Sequence, residues 1–225
     1  MGIILDSFNI AYRDILIESR RAYEIVSTIF FAVSAVILIS VAWGTPISIT
    51  IEEGTASLWI IIFFTSILSF TTSFAREIDR GTIGGLRTLP CSPLAILFGK
   101  VMYSTAIMLI VLAVLLPLSI VFLNIQLSIK FFDLLLILVI GIVDLSFVGS
   151  FVSSITMYSE GKTLLLPFLL FPLCLPVFVP AMLSTEKVLN GLNYVDYSGE
   201  LRLLAAFFVL VLIISIFAFE TILEE

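Results

Sequence analysis

The sequence predicts an all-α membrane protein with six transmembrane helices, and three observations support this class. Of the 225 residues, 60% are hydrophobic and 12% are charged, whereas about 25% are charged in ordinary soluble domains. The mean hydropathy is +1.23. Several apolar runs reach the roughly 20 residues that a helix needs to cross the hydrocarbon core of a bilayer. We therefore expect residues 1–225 to form one transmembrane domain, with no room for a soluble enzyme domain beside it.

Residues 1–24 are expected to form an amphipathic helix that lies in the membrane interface. Ile4, Phe8, Tyr12 and Ile15 recur at helical spacing, which predicts a helix with one apolar side. Such a side favours the boundary between headgroups and acyl chains. Two roles stay open for this helix, which are anchoring the first span and docking a partner.

The six predicted spans follow one another along the rest of the chain. They are expected at residues 25–43, 56–74, 101–123, 131–156, 163–183 and 201–219. Residues 184–200, between the last two spans, are expected to form a polar loop with room for a small interfacial helix.

The distribution of basic residues predicts the orientation in the membrane. Eight basic residues lie on the side of the amino terminus and three lie on the other side, and cytoplasmic loops are the ones that carry the excess of Lys and Arg. Both termini and the segment 75–100 are therefore expected in the cytoplasm. The two groups are Arg13, Arg20, Arg21, Arg76, Arg80, Arg87, Lys100 and Lys162, against Lys130, Lys187 and Arg202.

The polar segment 75–100, between the second and third spans, is punctuated by glycine and proline. Gly81 is expected to end the helix of the second span, and residues 82–88 have the length of about two helical turns before Pro90 ends them. Ser92, with proline directly after it, has the pattern of an N-cap that starts the next helix. A short surface helix of this kind suits mechanical contact with a soluble partner. The alternative is a solvated turn that merely obeys the charge bias of cytoplasmic loops.

Several kinds of chemistry are excluded or disfavoured by composition. The chain has no histidine, so imidazole acid–base catalysis and histidine ligation of zinc or haem are excluded for this chain. Gly161, Lys162 and Thr163 end like a phosphate-binding loop, but Thr156 stands where that motif needs glycine. We expect no catalytic residue, no metal site, no directly bound cofactor and no nucleic acid partner. Any ATP hydrolysis would take place on a separate chain.

Asp144 lies near the middle of the fourth span, where a carboxylate costs roughly 2.5–3.5 kcal/mol on insertion scales. It is therefore expected to face protein or water, or to be protonated. One interpretation is a polar contact between helices, beside small residues that permit close packing. The other is a role in a substrate or proton route. The small residues are Gly141, Ser146, Gly149 and Ser150.

The fifth span contains four prolines, each of which removes a backbone donor and clashes one turn back. The helix is therefore expected to be kinked or broken. A bent packing helix and a discontinuous helix that moves during transport both stay open. The prolines are Pro167, Pro172, Pro176 and Pro180.

The segment 75–100 resembles the loop between the second and third spans of six-helix ABC exporter permeases. Residues 141–149 and 164–181 narrow the match, since they resemble the CcmB family, the permease-like subunits of the cytochrome c maturation (haem exporter) complex. The residues that carry the loop resemblance are Glu77, Asp79, Gly81, Thr82, Ile83, Leu86, Leu89, Pro90, Ser92, Pro93, Gly99 and Lys100.

The resemblance implies a multi-pass subunit of the inner membrane that couples ATP hydrolysis by a CcmA-like ATPase to haem export or to release of a haem-loaded chaperone. Residues 82–88 would be the coupling helix, and the contacts with the ATPase would be made by Glu77, Asp79, Gly81, Thr82, Ile83, Leu86, Leu89 and Pro90. Asp144, Pro167, Pro172 and Pro176 would be the intramembrane polar or hinge positions.

Further partners follow from the same resemblance. They are a CcmC-like membrane subunit that handles haem, a CcmE-like haem chaperone, membrane lipid and a second copy of the chain. Gly84 and Gly85 depart from the family pattern, which often has an acidic residue there, and each lowers helix stability by about 1 kcal/mol relative to alanine. Two alternatives stay open, which are the permease of a generic exporter of lipid, drug or ion, and a membrane scaffold without ATP coupling.

Overall fold

A computed structural model describes residues 2–19, 23–44, 49–79, 92–125, 130–156 and 162–224. These described residues form seven helices in an all-α architecture. The helices are α1 (Ile3–Ser19), α2 (Tyr23–Trp43), α3 (Ile51–Asp79), α4 (Pro93–Phe122), α5 (Phe131–Thr156), α6 (Lys162–Leu189) and α7 (Tyr194–Glu224).

Six of these helices are long and apolar enough to cross a membrane, as the sequence predicted. Their apolar stretches are Ile25–Trp43, Ile51–Thr71, Leu94–Phe122, Phe131–Thr156, Leu164–Leu189 and Tyr194–Phe217. The first and fourth have the predicted bounds, whereas the others begin earlier or end later than predicted. Stretches of mixed polar and apolar residues at the ends of the predicted spans are helical too, so these helices are longer than their purely apolar parts.

Two helix starts show how local sequence sets the boundaries. Before α3, the Thr50 hydroxyl accepts a hydrogen bond from the Glu53 backbone N–H at 3.3 Å, and a Glu53 carboxylate oxygen accepts one from the Thr50 N–H at 2.9 Å. This reciprocal pair is a capping box. Before α4, the Ser92 side chain accepts from the Ala95 N–H at 3.3 Å, and Pro93 takes the first turn. The predicted N-cap at Ser92 is therefore confirmed.

The predicted loop over residues 184–200 is wrong, because most of it is helical. α6 continues to Leu189, and α7 begins at Tyr194. Gly191 makes so short a connection possible, since it adopts φ +78 and its N–H bonds back to the end of α6 in a Schellman motif. Asp196 then accepts a hydrogen bond from the Asn193 backbone N–H at 2.9 Å, which caps α7.

α6 remains helical from Lys162 to Leu189 despite its four internal prolines. The structure thus shows this span as one helix, and the hinge role predicted for its prolines stays a prediction. Pro172 and Pro176 lie on the exposed side of α6, whereas Pro180 is buried. The Ser184 hydroxyl donates to the Pro180 carbonyl at 2.6 Å, a bond from a side chain to the backbone one turn earlier in the same helix.

α3 and α5 form the centre of the bundle. Seventeen of the 26 residues of α5 are buried, and α5 packs against α3, α4, α6 and α7. By contrast, only 22% of the most apolar stretch of α2 and 17% of that of α7 is buried. These two helices therefore form the periphery of the bundle, where their side chains are available to lipid or to other subunits.

Glycines in α5 let aromatic rings of α3 pack directly against the helix backbone. A Cβ atom at Gly141 would lie 2.3 Å from the Trp59 ring, and one at Gly149 would lie 2.2 Å from the Phe70 ring. The Trp59 indole N–H donates to the Thr185 hydroxyl of α6 at 3.0 Å. The prediction that small residues around Asp144 permit close packing is confirmed at both glycines.

Candidate functional site

The predicted ATPase contacts fall mostly outside the described residues. Gly81, Thr82, Ile83, Leu86, Leu89 and Pro90 all belong to this undescribed part of the chain. Glu77 and Asp79 belong to the last turns of α3, which runs past its apolar stretch ending at Thr71. α4 starts at Pro93, so the described structure gives the two helices that flank the segment.

The best-defined polar site among the described residues lies where α1 packs against the beginning of α4. We call it the α1–α4 junction. α1 presents residues spaced three or four apart, which therefore share one helical face, and α4 presents one turn near its start. The members are Ser7, Ile10, Asp14 and Glu18 of α1, with Gly99, Lys100 and Tyr103 of α4.

A buried ion pair forms the centre of the junction. The Lys100 ammonium lies 2.8 Å from a carboxylate oxygen of Asp14, and the two side chains are 3% and 9% exposed. The guanidinium of Arg13 contacts the other carboxylate oxygen at 2.9 Å. A charge so far from water is stable only when it is paired and hydrogen-bonded. The position of Lys100 therefore depends on Asp14.

A second polar contact lies one helical turn away on both helices. The Tyr103 hydroxyl donates to a carboxylate oxygen of Glu18 at 3.1 Å, and this contact is also buried. Glu18 follows Asp14 by four residues and Tyr103 follows Lys100 by three, so each pair of positions lies on one face of its helix. The two contacts together fix both the separation and the rotation of α1 relative to α4.

Gly99 allows the two helices to approach closely at the other side of the ion pair. A Cβ atom at Gly99 would lie 2.8 Å from Cβ of Ile10 and 3.0 Å from the carbonyl oxygen of Ser7. Even alanine would require one helix to move. Gly99 and Lys100 are adjacent in the sequence but have different structural roles. Gly99 permits the close approach of the two helices, and Lys100 pairs with the carboxylate of Asp14.

α1 carries its apolar stripe on the side that faces away from the junction. Ile4, Phe8 and Tyr12 are 85%, 56% and 60% exposed. The helical stripe that the sequence predicted is therefore present on the outer surface of the protein. The pairing of the acidic residues was not predicted, although Asp14 and Glu18 are four residues apart and therefore share one face of the helix.

Asp144 lies in the centre of the bundle and is 3% exposed. Its Oδ2 atom has no hydrogen-bond partner among the residues that the structure describes. Nearby on α5, the Ser150 hydroxyl donates to the Ser104 hydroxyl of α4 at 3.4 Å. Ser150 therefore makes a polar contact between α5 and α4, whereas the polar contact predicted for Asp144, and its alternative role in a substrate or proton route, stay predictions.

The predicted hinge prolines differ from Asp144 in burial, since Asp144 is 3% exposed. Pro167 is half-buried, and the rings of Pro172 and Pro176 face outward. The described cavity between α3 and α6 is lined by apolar side chains, among them Phe63, Phe171 and Cys174. Within the described ranges, no group of three or more acidic or cysteine side chains has the arrangement of a metal site.

Comparison with known proteins gives the family. The model of the CcmB protein family matches residues 6–225. Heme exporter protein B of Haemophilus influenzae is 27% identical over 216 residues, which cover 94% of each chain. No solved structure matches. Since the family model spans nearly the whole sequence, the chain belongs to the CcmB family.

Proposed function

We propose that this chain is the membrane subunit of an ABC-type complex for cytochrome c biogenesis. ATP hydrolysis on a separate, CcmA-like subunit drives haem export or the release of a haem-loaded, CcmE-like chaperone. The chain itself performs no catalysis and binds no cofactor. A CcmC-like membrane subunit handles the haem.

The observation that carries this proposal is the family match over residues 6–225. The relative in Haemophilus influenzae is named for haem export, and the six apolar helices of this chain suit a permease subunit. The absence of histidine from the sequence supports a mechanical role, because the chain then lacks the commonest axial ligand of haem iron.

The mechanism is conformational coupling through the segment between α3 and α4. Residues 82–88 form a helix that docks on the ATPase, with Glu77 and Asp79 beside it. When the ATPase closes around ATP, the docked segment moves and tilts the two helices that it joins. This mechanism requires the segment between α3 and α4 to lie in the cytoplasm. The excess of basic residues on that side of the membrane supports this placement.

α1 lies in the membrane interface in this proposal, with Ile4, Phe8 and Tyr12 toward lipid. Its outward apolar stripe is too exposed to be stable in water and suits the headgroup boundary. The lipid surface is therefore a partner of α1 from one side, and α4 is its partner from the other.

Copurification with the ATPase tests the proposal. A tagged chain, expressed with the cytochrome c maturation genes, is expected to bring down one ATPase subunit. Gly81→Pro and Leu86→Asp are expected to abolish this association and leave membrane insertion intact. Leu192→Asp is the matched control, since Leu192 lies 42% exposed in the turn between α6 and α7, on the side of the bundle opposite to the start of α4.

The same preparation separates the alternatives. A scaffold without ATP coupling would show no ATPase whose association responds to nucleotide. A generic exporter would bring down an ATPase but no haem chaperone or CcmC-like subunit. A wild-type chain that copurifies with no ATPase under any nucleotide condition would contradict the proposed function.

A further inference from the structure

α1 is connected to the rest of the molecule in two ways. Three residues, 20–22, join it to α2 in the sequence, and the buried contacts of the α1–α4 junction join it to α4 in space. The second connection joins parts of the chain that are far apart in the sequence, since 86 positions separate Asp14 from Lys100. A movement of either helix is therefore transmitted across the junction only if these contacts persist.

The junction lies close to the point where the segment 80–91 enters α4. Lys100 is seven residues after Pro93, the first residue of α4, which corresponds to about 10 Å along a helix that rises 1.5 Å per residue. A displacement of that segment therefore reaches the junction after two helical turns, before it reaches the middle of the bundle.

The chemistry of the junction favours a rigid connection over a sliding one. If α1 slid along α4, the ammonium of Lys100 would lose its carboxylate partner while still buried at 3% exposure. Separating the two partners of a buried ion pair is strongly unfavourable. Gly99 adds a steric register, since a Cβ atom at this position would lie only 2.8 Å from Cβ of Ile10 and 3.0 Å from the carbonyl oxygen of Ser7.

We infer that Asp14 and Lys100 are positioning residues of the coupling mechanism, which make α1 move as one body with the start of α4. Displacement of the segment that enters α4 then moves α1 together with the start of α4. This inference rests on the proposed function, and it adds a second route by which the movement spreads through the bundle.

The first test measures coupling in the purified complex with its ATPase, reconstituted in vesicles. The readout is the amount of haem-loaded chaperone released per ATP hydrolysed. Lys100→Met and Asp14→Asn are expected to lower this ratio by about tenfold, within the range of coupling energies between linked sites. Assembly with the ATPase is expected to persist, because neither residue belongs to the segment proposed to dock on it.

Lys187→Met is the matched control for these variants. Lys187 also pairs with a carboxylate, that of Glu200 at 2.6 Å, but at the opposite end of the bundle and with 33% of its side chain exposed. The control is expected to keep the wild-type ratio. A Lys100→Met complex that also keeps the wild-type ratio would overturn the inference.

A covalent bond across the junction provides the second test. Cβ of Ile10 and an ideal Cβ at Gly99 lie 2.8 Å apart, about 1 Å closer than in a typical disulfide, so Ile10→Cys with Gly99→Cys requires only a small outward shift. The background carries Cys91→Ser and Cys174→Ala. In a chain with native Lys100, formation of the crosslink is expected to leave release per ATP at the level of the same variant with its disulfide reduced. In the Lys100→Met chain, the crosslink is expected to restore the wild-type ratio of release per ATP. Reduction of the disulfide is then expected to lower this ratio again.

Loss of activity on crosslinking the native pair would show that α1 must slide on α4, and would overturn the inference. This arm also remains informative if Lys100→Met fails to fold. A different result would contradict the proposed function, namely a wild-type chain that has no ATPase partner. If the partner binds and release depends on ATP, only the behaviour of the junction variants decides the inference.

Discussion

The two ends of the bundle use lysine in different ways. At the α1–α4 junction, Lys100 is buried and pairs with Asp14 between two helices that are far apart in sequence. At the opposite end, Lys130 donates to the carbonyl oxygens of Gly191 and Leu192. There Lys187 bridges to the carboxylate of Glu200. We call this second group, with Tyr197 and its partner Asp133, the turn cluster.

The difference is one of solvent access and therefore of energy. The side chain of Lys187 is 33% exposed against 3% for Lys100. Water can replace a lost partner in the turn cluster but not in the junction. Exposed ion pairs contribute about 0–1 kcal/mol, whereas removal of one partner of a buried pair costs about 3–5 kcal/mol. The junction is thus the stiffer and more vulnerable end.

The largest expected effect is that of Lys100→Met on stability. Removal of the ammonium leaves the carboxylate of Asp14 buried with less compensation, so the free energy of unfolding is expected to fall by about 3–5 kcal/mol. Reversible unfolding in mixed micelles measures this. The double variant Asp14→Asn with Lys100→Met is expected to regain part of the loss, and a double variant less stable than Lys100→Met would contradict the pairing.

Tyr103→Phe is expected to have the next largest effect. It removes the hydroxyl that donates to the carboxylate of Glu18, and a hydrogen bond to a charged group contributes about 1.5–3 kcal/mol. The same substitution at Tyr197, which is also buried but whose hydroxyl donates to the half-buried carboxylate of Asp133 at 3.0 Å, is the matched control, because water can reach that carboxylate but not the one of Glu18. Equal losses from the two substitutions would contradict the distinction between the ends.

Gly99→Ala tests the steric part of the junction. The added methyl group would lie 2.8 Å from Ile10, and overpacking of this kind costs typically about 1–3 kcal/mol. Ile10→Ala in the same chain is expected to relieve only part of the loss, because it removes Cγ2 of Ile10 but leaves Cβ of residue 10 and the carbonyl oxygen of Ser7 close to the added methyl group. Gly199→Ala is the control, since nothing lies within 4 Å of an ideal Cβ there, and it is expected to leave the free energy of unfolding unchanged or slightly increased.

The smallest expected effect is that of Lys187→Met. The free energy of unfolding is expected to change by less than about 1 kcal/mol, since the Lys187–Glu200 pair is partly exposed. Raising the salt concentration to 1 M is expected to remove most of this difference by screening, while the loss caused by Lys100→Met persists. A Lys187→Met loss as large as that of Lys100→Met would show that burial does not separate the two ends.

The sequence predicted the fold class because length and hydropathy alone decide whether a helix can cross a bilayer. The six spans follow from that single criterion. The N-cap at Ser92 was also predictable, because serine before proline has a local meaning that does not depend on the rest of the fold. These predictions use only neighbouring residues, and the structure confirms them.

Long-range pairing was not predictable in the same way. Asp14 and Lys100 are separated by 86 residues, and no local pattern states that they meet. In the sequence, Lys100 was recognised as a charge on the cytoplasmic side and as part of the loop resemblance, but not as the partner of Asp14. The loop predicted over residues 184–200 was wrong for a related reason, because its polar residues serve as helix caps around Gly191 and not as a solvated connection.

The candidate site was therefore predicted in part. The segment 75–100 was singled out from its glycine, proline and charge pattern. Its contacts with an ATPase stay a prediction, and the role of Asp144 also stays one. The structure adds the junction beside the segment, which only three-dimensional packing reveals.

Distances between spin labels test most directly whether α1 and the start of α4 move together. Labels at Tyr12→Cys and Met102→Cys, both exposed, report the separation of α1 and α4, and a third at Val209→Cys on α7 gives an outside reference. Between the nucleotide-free complex and the complex trapped with ATP, the Tyr12–Met102 distance is expected to stay constant while both distances to Val209 change together. A change in the Tyr12–Met102 distance on ATP binding would contradict the coupling of the two helices as one body.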